Sequence, residues 1–403
     1  MTQSTEQSSN KRVHLHYLDG LRGLAALYVV FSHLWELQEN NVPSLWLVAT
    51  KIFRYGLFSV SVFIVLSGYC LMLPVVRSQT GQISGSLLSY LKKRSRRILP
   101  PYYAALFTSI IVGLVITILV KFQIFPWNDN LWGHFSRNFT FGDVFYHLLL
   151  IHNLTPGDKL FHINGPLWSV ATEWQIYFIF PLVLLPIWRR LGLFSVVIIA
   201  FILGLTPHYL LHGSIDLAHP WYVGLFALGM AAADIGFSQK QSKMRMRNLL
   251  PWGWLATIFF GLALVADSPK YGIAIMWITD SFVGLATACL LIYCTNCVID
   301  SKPTPFVLRV FQSPWAVALG TFSYSLYLIH VVVMTPVNQY LHSLHLSPLQ
   351  INVILYVVSP LSSLLVAYSF YIVFERPFMS NFLQKRKVKD AIISSYSPNS
   401  GQS

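Results

Sequence analysis

Arg22 and His33 stand eleven positions apart in the apolar stretch LDGLRGLAALYVVFSH, residues 18–33. On an α-helix at 100° per residue, eleven steps return to within about 20° of the starting direction and rise roughly 16 Å. The two side chains therefore project from one face at two depths. An arginine is a permanent cation with a fork that fits phosphate, and a histidine titrates where a hydroxyl proton can be taken up. Ionisable groups inside a membrane segment are costly unless they face a partner or a cavity, which marks both as functional candidates.

Counting depth finds companions. Glu173 lies about seven residues, roughly 11 Å, into an apolar run read as descending from the outer face, and His330 about fifteen residues, roughly 22 Å, above the inner end of another. In a hydrocarbon core about 30 Å thick, His33, Glu173 and His330 then share one level. Such a cluster can supply a general base and a carboxylate that orients it and stabilises the imidazolium formed. Glu173 serves equally well as a hydrogen-bonding group between packed helices.

The segment LKKRSRRILPPYY, residues 91–103, places Arg94 and Arg97 three apart, on one face if a helix begins early. Arginine pairs favour bidentate phosphate binding, while a basic run beside a span also acts as a topological stop signal that touches anionic lipid. Arg22 extends this positive track toward His33, although Asp19 is spaced to pair with it locally. Weaker signals are Ser59, Ser61 and Ser67 with Gly68, which suit close helix packing more than a nucleophile without a fixed base. Trp168, Trp174, Tyr177, Tyr324 and Tyr327 suit either a sugar site or an interfacial aromatic belt. Glu375 is placed to pair with Arg376 or a nearby basic group. The four cysteines read as buried apolar thiols, and no metal site is expected, because Cys294 and Cys297 lack companion ligands.

The elements that must hold these residues are membrane helices. The 403 residues are 55% hydrophobic and only 11% charged, with mean hydropathy +0.56, against about 25% charged in ordinary soluble domains. Ten apolar runs each approach the roughly 20 residues a spanning helix needs: 18–37, 55–76, 100–120, 166–188, 193–211, 221–237, 250–267, 274–297, 315–341 and 349–374. The expectation is an all-α polytopic membrane bundle of about ten transmembrane helices. The net charge of +13 reflects topology and not nucleic acid. With the N-terminus inside, Arg22 lies within a span, six of the 28 Lys and Arg residues face outward, and the rest are cytoplasmic, so both termini are placed in the cytoplasm.

No cleavable signal is expected, since a polar leader precedes the first run without a small-residue cleavage pattern. The domain reading is a disordered polar head over 1–13, one transmembrane domain over 14–378 and a basic, Ser-rich cytoplasmic tail over 379–403. The longest stretch between spans, 121–165, is long enough to suggest function. Its apolar part DVFYHLLLIHNL, 143–154, is too short to cross and is expected to be re-entrant or interfacial.

Taken in order, LDGLRGLAALYVVFSH, FSVSVFIVLSGY, Arg94 and Arg97 before LPPYY, INGPLWSVATEWQIYFIFPL, LGTFSYSLYLIH and FERPF resemble the acyltransferase 3 family of integral-membrane O-acyltransferases. Thr172 before Glu173 and Ile64 depart from the usual pattern without removing a reactive group. The resemblance implies transfer of an acyl group, usually acetyl from cytoplasmic acetyl-CoA, to a hydroxyl of a carbohydrate or glycolipid acceptor at the outer side of a bacterial inner membrane. It implies His33 and Glu173 as catalytic, Arg22, Arg94 and Arg97 as binding acyl-CoA, and Asn164, Trp168, Ser169, Tyr324 and His330 as lining the acceptor. No permanently bound cofactor is expected, and the lipid bilayer is the constant partner. Larger members append a periplasmic hydrolase-like domain, so a separate acceptor-delivery protein, like a homo-oligomer, is compatible with this chain. A transporter or flippase of a lipid-linked sugar is the alternative class, weakened by the lack of repeat symmetry and of paired broken helices.

Overall fold

Long apolar runs fold as helices because a chain crossing hydrocarbon must satisfy its backbone donors and acceptors within the segment. The computed structural model describes residues 15–379 apart from 79, 132, 156–160, 269–274 and 301–302, and among these the only β pairing is a single bridge from Phe135 to Asn164. The expected polar head over 1–13 and all but the first residue of the expected tail lie outside the described residues.

The helices run in the order α1 (His16–Leu37), α2 (Ser44–Thr50), α3 (Gly56–Arg77), α4 (Leu87–Lys121), α5 (Phe141–Leu148), α6 (Leu167–Ile179), α7 (Leu185–Leu191) and α8 (Leu193–Leu210). They continue as α9 (Tyr222–Phe237), α10 (Gln241–Leu249), α11 (Trp252–Ala266), α12 (Met276–Ile299), α13 (Phe306–Phe311), α14 (Pro314–Thr321), α15 (Ser323–Ser343) and α16 (Pro348–Phe370). Wide turns at Phe180–Leu184 and Tyr371–Glu375 extend α6 and α16. In the first of these, Pro181 has no N–H to give the regular ladder.

Seven helical segments are long and apolar enough to cross a membrane, and nine if each of two bent pairs counts as one span. This is a multi-pass membrane protein. Three of the ten expected runs differ from the expectation, one of them 250–267, where α11 has only 15 residues and meets α10 at 68°. The first run, α1, is not among the seven. It carries Asp19, Arg22 and Glu36 and is packed between α3, α14 and α15, so its polar groups meet protein instead of lipid. The run 315–341 is broken, with α14 and α15 meeting at 72°. α4 begins at Leu87, four residues before the basic run, so Arg94 and Arg97 are helical and lie within a turn of each other. α5 spans eight residues, too few to cross, and starts at a capping box between Thr140 and Asp143.

Backbone contact at glycines sets the two crossings that frame the site. A Cβ on Gly68 would stand 2.0 Å from the Phe226 carbonyl oxygen, and one on Gly229 would stand 2.0 Å from that of Val65, so α3 and α9 touch reciprocally. α1 repeats the device: a Cβ on Gly20 would meet the Phe311 oxygen at 1.8 Å, and one on Gly320 the Asp19 oxygen at 2.0 Å. Such close approach is how membrane helices gain packing when lipid offers no hydrophobic drive between them. Gly68→Ala is expected to push α3 off α9 at an overpacking cost of about 1–3 kcal/mol. Thermal unfolding in detergent reads this as a lowered Tm. Gly261→Ala, whose Cβ would meet nothing within 4 Å, should leave Tm unchanged, and equal behaviour of the two variants would refute the crossing as the cause.

Candidate active site

Between α1, α3, α4, α6, α15 and the end of α16 lies a cavity of about 480 Å³. Arg22, Arg94 and Arg97 line it together with Glu173, Cys70 and Tyr324. Arg22 donates to Asp19 at 3.2 Å and to Cys70 Sγ at 2.9 Å. Arg94 Nε is buried without a hydrogen-bond partner among the described residues, and Arg97 is exposed toward the cavity. Three guanidinium groups line one hollow, one of them with an unused buried donor, a donor set whose chemistry suits an anion.

Glu173 does not reach His33. Its Oε1 accepts from Tyr177 Oη at 2.6 Å and, in a short contact, from Ser67 Oγ. The expected His33–Glu173 partnership fails because α6 presents Glu173 to α3, where the hydroxyl of Ser67 already holds it. Glu375 accepts from the backbone N–H of Ser325 at 3.1 Å and from its hydroxyl at 2.5 Å, satisfying a free amide in the first turn of α15.

His33 belongs to a second cluster at the far end of α1. Its Nδ1 bonds Glu36 Oε2 at 2.9 Å, and His134 Nε2 bonds the same oxygen at 2.5 Å. A carboxylate oxygen only accepts, so Nδ1–H donates and His33 Nε2 carries the lone pair. The His33 ring packs 3.9 Å from that of His134 and stacks at 5.2 Å on His330. His330 Nδ1 donates to the Leu326 carbonyl at 3.0 Å, leaving its buried Nε2 without a partner.

Backbone pairing places His134. Gly165 N–H donates to the His134 carbonyl at 2.7 Å, beside the bridge from Phe135 to Asn164. Asn164 is fully buried and donates from Nδ2 to Ser109 Oγ at 3.0 Å and to the Leu328 carbonyl at 2.9 Å. Its position corrects the acceptor-lining expectation: it fastens the 134–136 segment to the bundle. Trp168 is also buried, stacked on His219 at 4.8 Å, and does not line the cavity. Ser169 and Tyr324 do line it, tied to Tyr327 Oη at 2.6 Å and to the Ile98 carbonyl at 3.1 Å respectively.

The cavity includes neither His33 nor His330. Tyr327 and Phe63, packed edge to face at 5.8 Å, line it instead, and Tyr327 lies 6.1 Å from the His330 ring. The expected continuous track from Arg22 to His33 is thus interrupted at Tyr327 and Phe63, with the His330 ring between Tyr327 and His33. Glu36 and His134 went unread in the sequence. The spacing of Glu36 three residues after His33 could have found the first, whereas nothing local marks His134.

The acyltransferase-domain profile of the acyltransferase 3 family matches residues 15–372. The chain belongs to this family. A Staphylococcus aureus (strain COL) protein named as a candidate O-acetyltransferase is 24% identical over 363 residues, covering 80% of this chain and 51% of that protein. The O-acetyltransferase OatA of Staphylococcus aureus (strain NCTC 8325 / PS 47) is 25% identical over 410 residues, 93% of this chain and 60% of its own length. A candidate acetyltransferase of Acidianus two-tailed virus is 23% identical over 319 residues, 78% of this chain and 81% of its own. The chain thus spans about half the length of the staphylococcal relative from strain COL. No solved structure matches it.

Beside this end of the bundle, His147 and His152 stack at 3.8 Å. Burial pushes His147 down to about 4 and His152 well below the ordinary 6.5. Asp143 opposes the shift of His147, the charge of His162 adds to it while the His162 backbone opposes it, and His147 adds to that of His152. An unfolded chain takes up protons below 6.5 while the folded one refuses them until about 4. Stability from this pair is therefore complete above pH 6.5 and falls as pH drops toward 4. Tm in detergent should decline by several degrees across that window, and His147→Asn should flatten the decline. An unchanged slope in the variant would remove His147 as its source.

Proposed function

We propose that the protein transfers an acyl group, most simply acetyl, from cytoplasmic acyl-CoA to a hydroxyl of a carbohydrate or glycolipid acceptor at the outer face of a bacterial inner membrane. The observation that carries this reading is the pairing, in an acyltransferase 3 chain, of an arginine-lined cavity with a hydrogen-bonded histidine one helix face away. Arg22, Arg94 and Arg97 hold the phosphates of the donor at the cytoplasmic end. The arm that carries the thioester is long and thin, and displacing the Tyr327–Phe63 layer lets it reach His33.

There His33 Nε2 takes the acceptor hydroxyl proton as the oxygen attacks the thioester carbonyl. The new C–O bond forms, the C–S bond breaks, and the proton on His33 passes to the departing CoA thiolate. Glu36 holds Nδ1–H, fixing the productive tautomer and facing the imidazolium as it forms. His134 fixes Glu36 in turn. Ser169 and Tyr324 contact the donor arm in this reading, and His330 supports the His33 ring. Glu173 stiffens the cavity wall.

The test uses inside-out vesicles containing the full chain, acetyl-labelled CoA and surface-glycan precursors of the host. Label in glycan from wild type and not from His33→Ala, at equal insertion, supports the reading. Vesicles that consume no acetyl-CoA would overturn the donor assignment and favour transport of a glycan precursor.

A further inference from the structure

We infer that His33, Glu36 and His134 form a binding site for a divalent transition-metal ion of the zinc type. His33 Nδ1, a Glu36 carboxylate oxygen and His134 Nε2 all lie within 4.8 Å of one another. Two imidazoles and one carboxylate are a donor set that suits zinc and leave further positions open to water. Tetrahedral bonds of about 2.0–2.1 Å set neighbouring ligand atoms roughly 3.3 Å apart. The contacts of 2.9 and 2.5 Å to Glu36 are those of the hydrogen-bonded, metal-free state, and small side-chain rotations open them to that separation.

The three ligands are held independently of the ion. His33 and Glu36 share one turn of α1, and His134 is fixed through its backbone to Gly165. Glu36, 39% exposed, gives an entry path from solvent. A second observation points the same way. The buried Nε2 of His330, on the ring stacked against His33, has an unused lone pair able to accept from a metal-bound water.

Metal occupancy and base catalysis exclude each other, a consequence that rests on the function proposed above, whereas binding itself does not. A neutral imidazole carries one proton. With the metal on Nδ1 of His33, that proton sits on Nε2, the nitrogen that must receive the acceptor's proton. The ion also replaces both N–H donors to Glu36. Zinc at the outer face is therefore an inhibitor of this enzyme.

Full-length protein in detergent, stripped with a chelator, is titrated with Zn²⁺ by calorimetry and analysed for retained metal. Wild type should retain one equivalent, and Glu36→Gln and His134→Ala should each weaken binding by at least about tenfold, the loss that even outer-shell changes cause. His212→Ala, which removes no ligand atom of the cluster, should bind as wild type does. Co²⁺ supplies a readout independent of turnover: its visible absorption should appear in wild type and vanish in both cluster variants, with equal elution on gel filtration reporting that they fold. Wild type that binds no zinc, or binding unchanged in both variants, overturns the site. Zinc bound by these residues with undiminished acetyl transfer overturns the exclusion. Protein that binds zinc as described but transfers no acetyl group when metal-free would count against the proposed function while leaving the metal site standing.

Discussion

His33→Ala is expected to lower kcat for acetyl transfer by about 10²–10⁴, the usual worth of a positioned general base, with little change in the apparent KM for donor. The prediction rests on the tautomer. Glu36 accepts from Nδ1, so the lone pair lies on Nε2, and no other histidine in the cluster is arranged alike. His330 has Nδ1 committed to the Leu326 carbonyl and its Nε2 buried, while His134 turns its Nε2 toward Glu36. Glu36→Gln gives a sharper test, because an amide can donate to Nδ1 and so place the ring proton on the wrong nitrogen. It should lose on the order of 10² in kcat. Glu173→Gln, held by Ser67 and Tyr177 away from His33, should lose much less. Steady-state rates with saturating acetyl-CoA decide the order. A Glu173 variant more damaged in kcat than the Glu36 variant would return the carboxylate role to Glu173.

The second large effect concerns the donor. Each charge-assisted hydrogen bond contributes about 1.5–3 kcal/mol, roughly 10- to 100-fold in binding. The double variant Arg94→Ala with Arg97→Ala should therefore raise the KM for acetyl-CoA on the order of 10²-fold or more, with kcat nearly preserved once donor is saturating. Arg22→Lys should weaken donor use less than Arg22→Ala, since the charge survives and the fork does not. Acetyl-dephospho-CoA separates the contacts. If the arginines grip the terminal phosphate, removing it should cost wild type much and the double variant little. Normal donor saturation in the double variant would refute the cavity as the nucleotide site.

The sequence determined the class of this protein by physics that needs no tertiary contact. Apolar runs of spanning length dictate helices in a membrane, because no other local structure satisfies the backbone there. Eleven steps from Arg22 to His33 dictate one helix face, and three from Arg94 to Arg97 dictate one turn, because helix geometry is fixed whatever surrounds it. All three arginines accordingly meet in one cavity. Partnership between helices obeys no such periodicity. Depth counting put Glu173 level with His33, yet depth leaves the rotation of a helix free, and packing turned Glu173 toward Ser67. Asn164 and Trp168 read as acceptor contacts, although both are needed inside, one pinning a loop and the other packed against His219. His134 entered the site through a backbone pairing between segments about thirty residues apart, which the identity of a loop residue does not encode. Only tertiary structure decided which carboxylate faces the histidine, and that the arginine cavity ends at Tyr327 and Phe63, because both depend on how rigid helices rotate to bring glycine to backbone at their crossings.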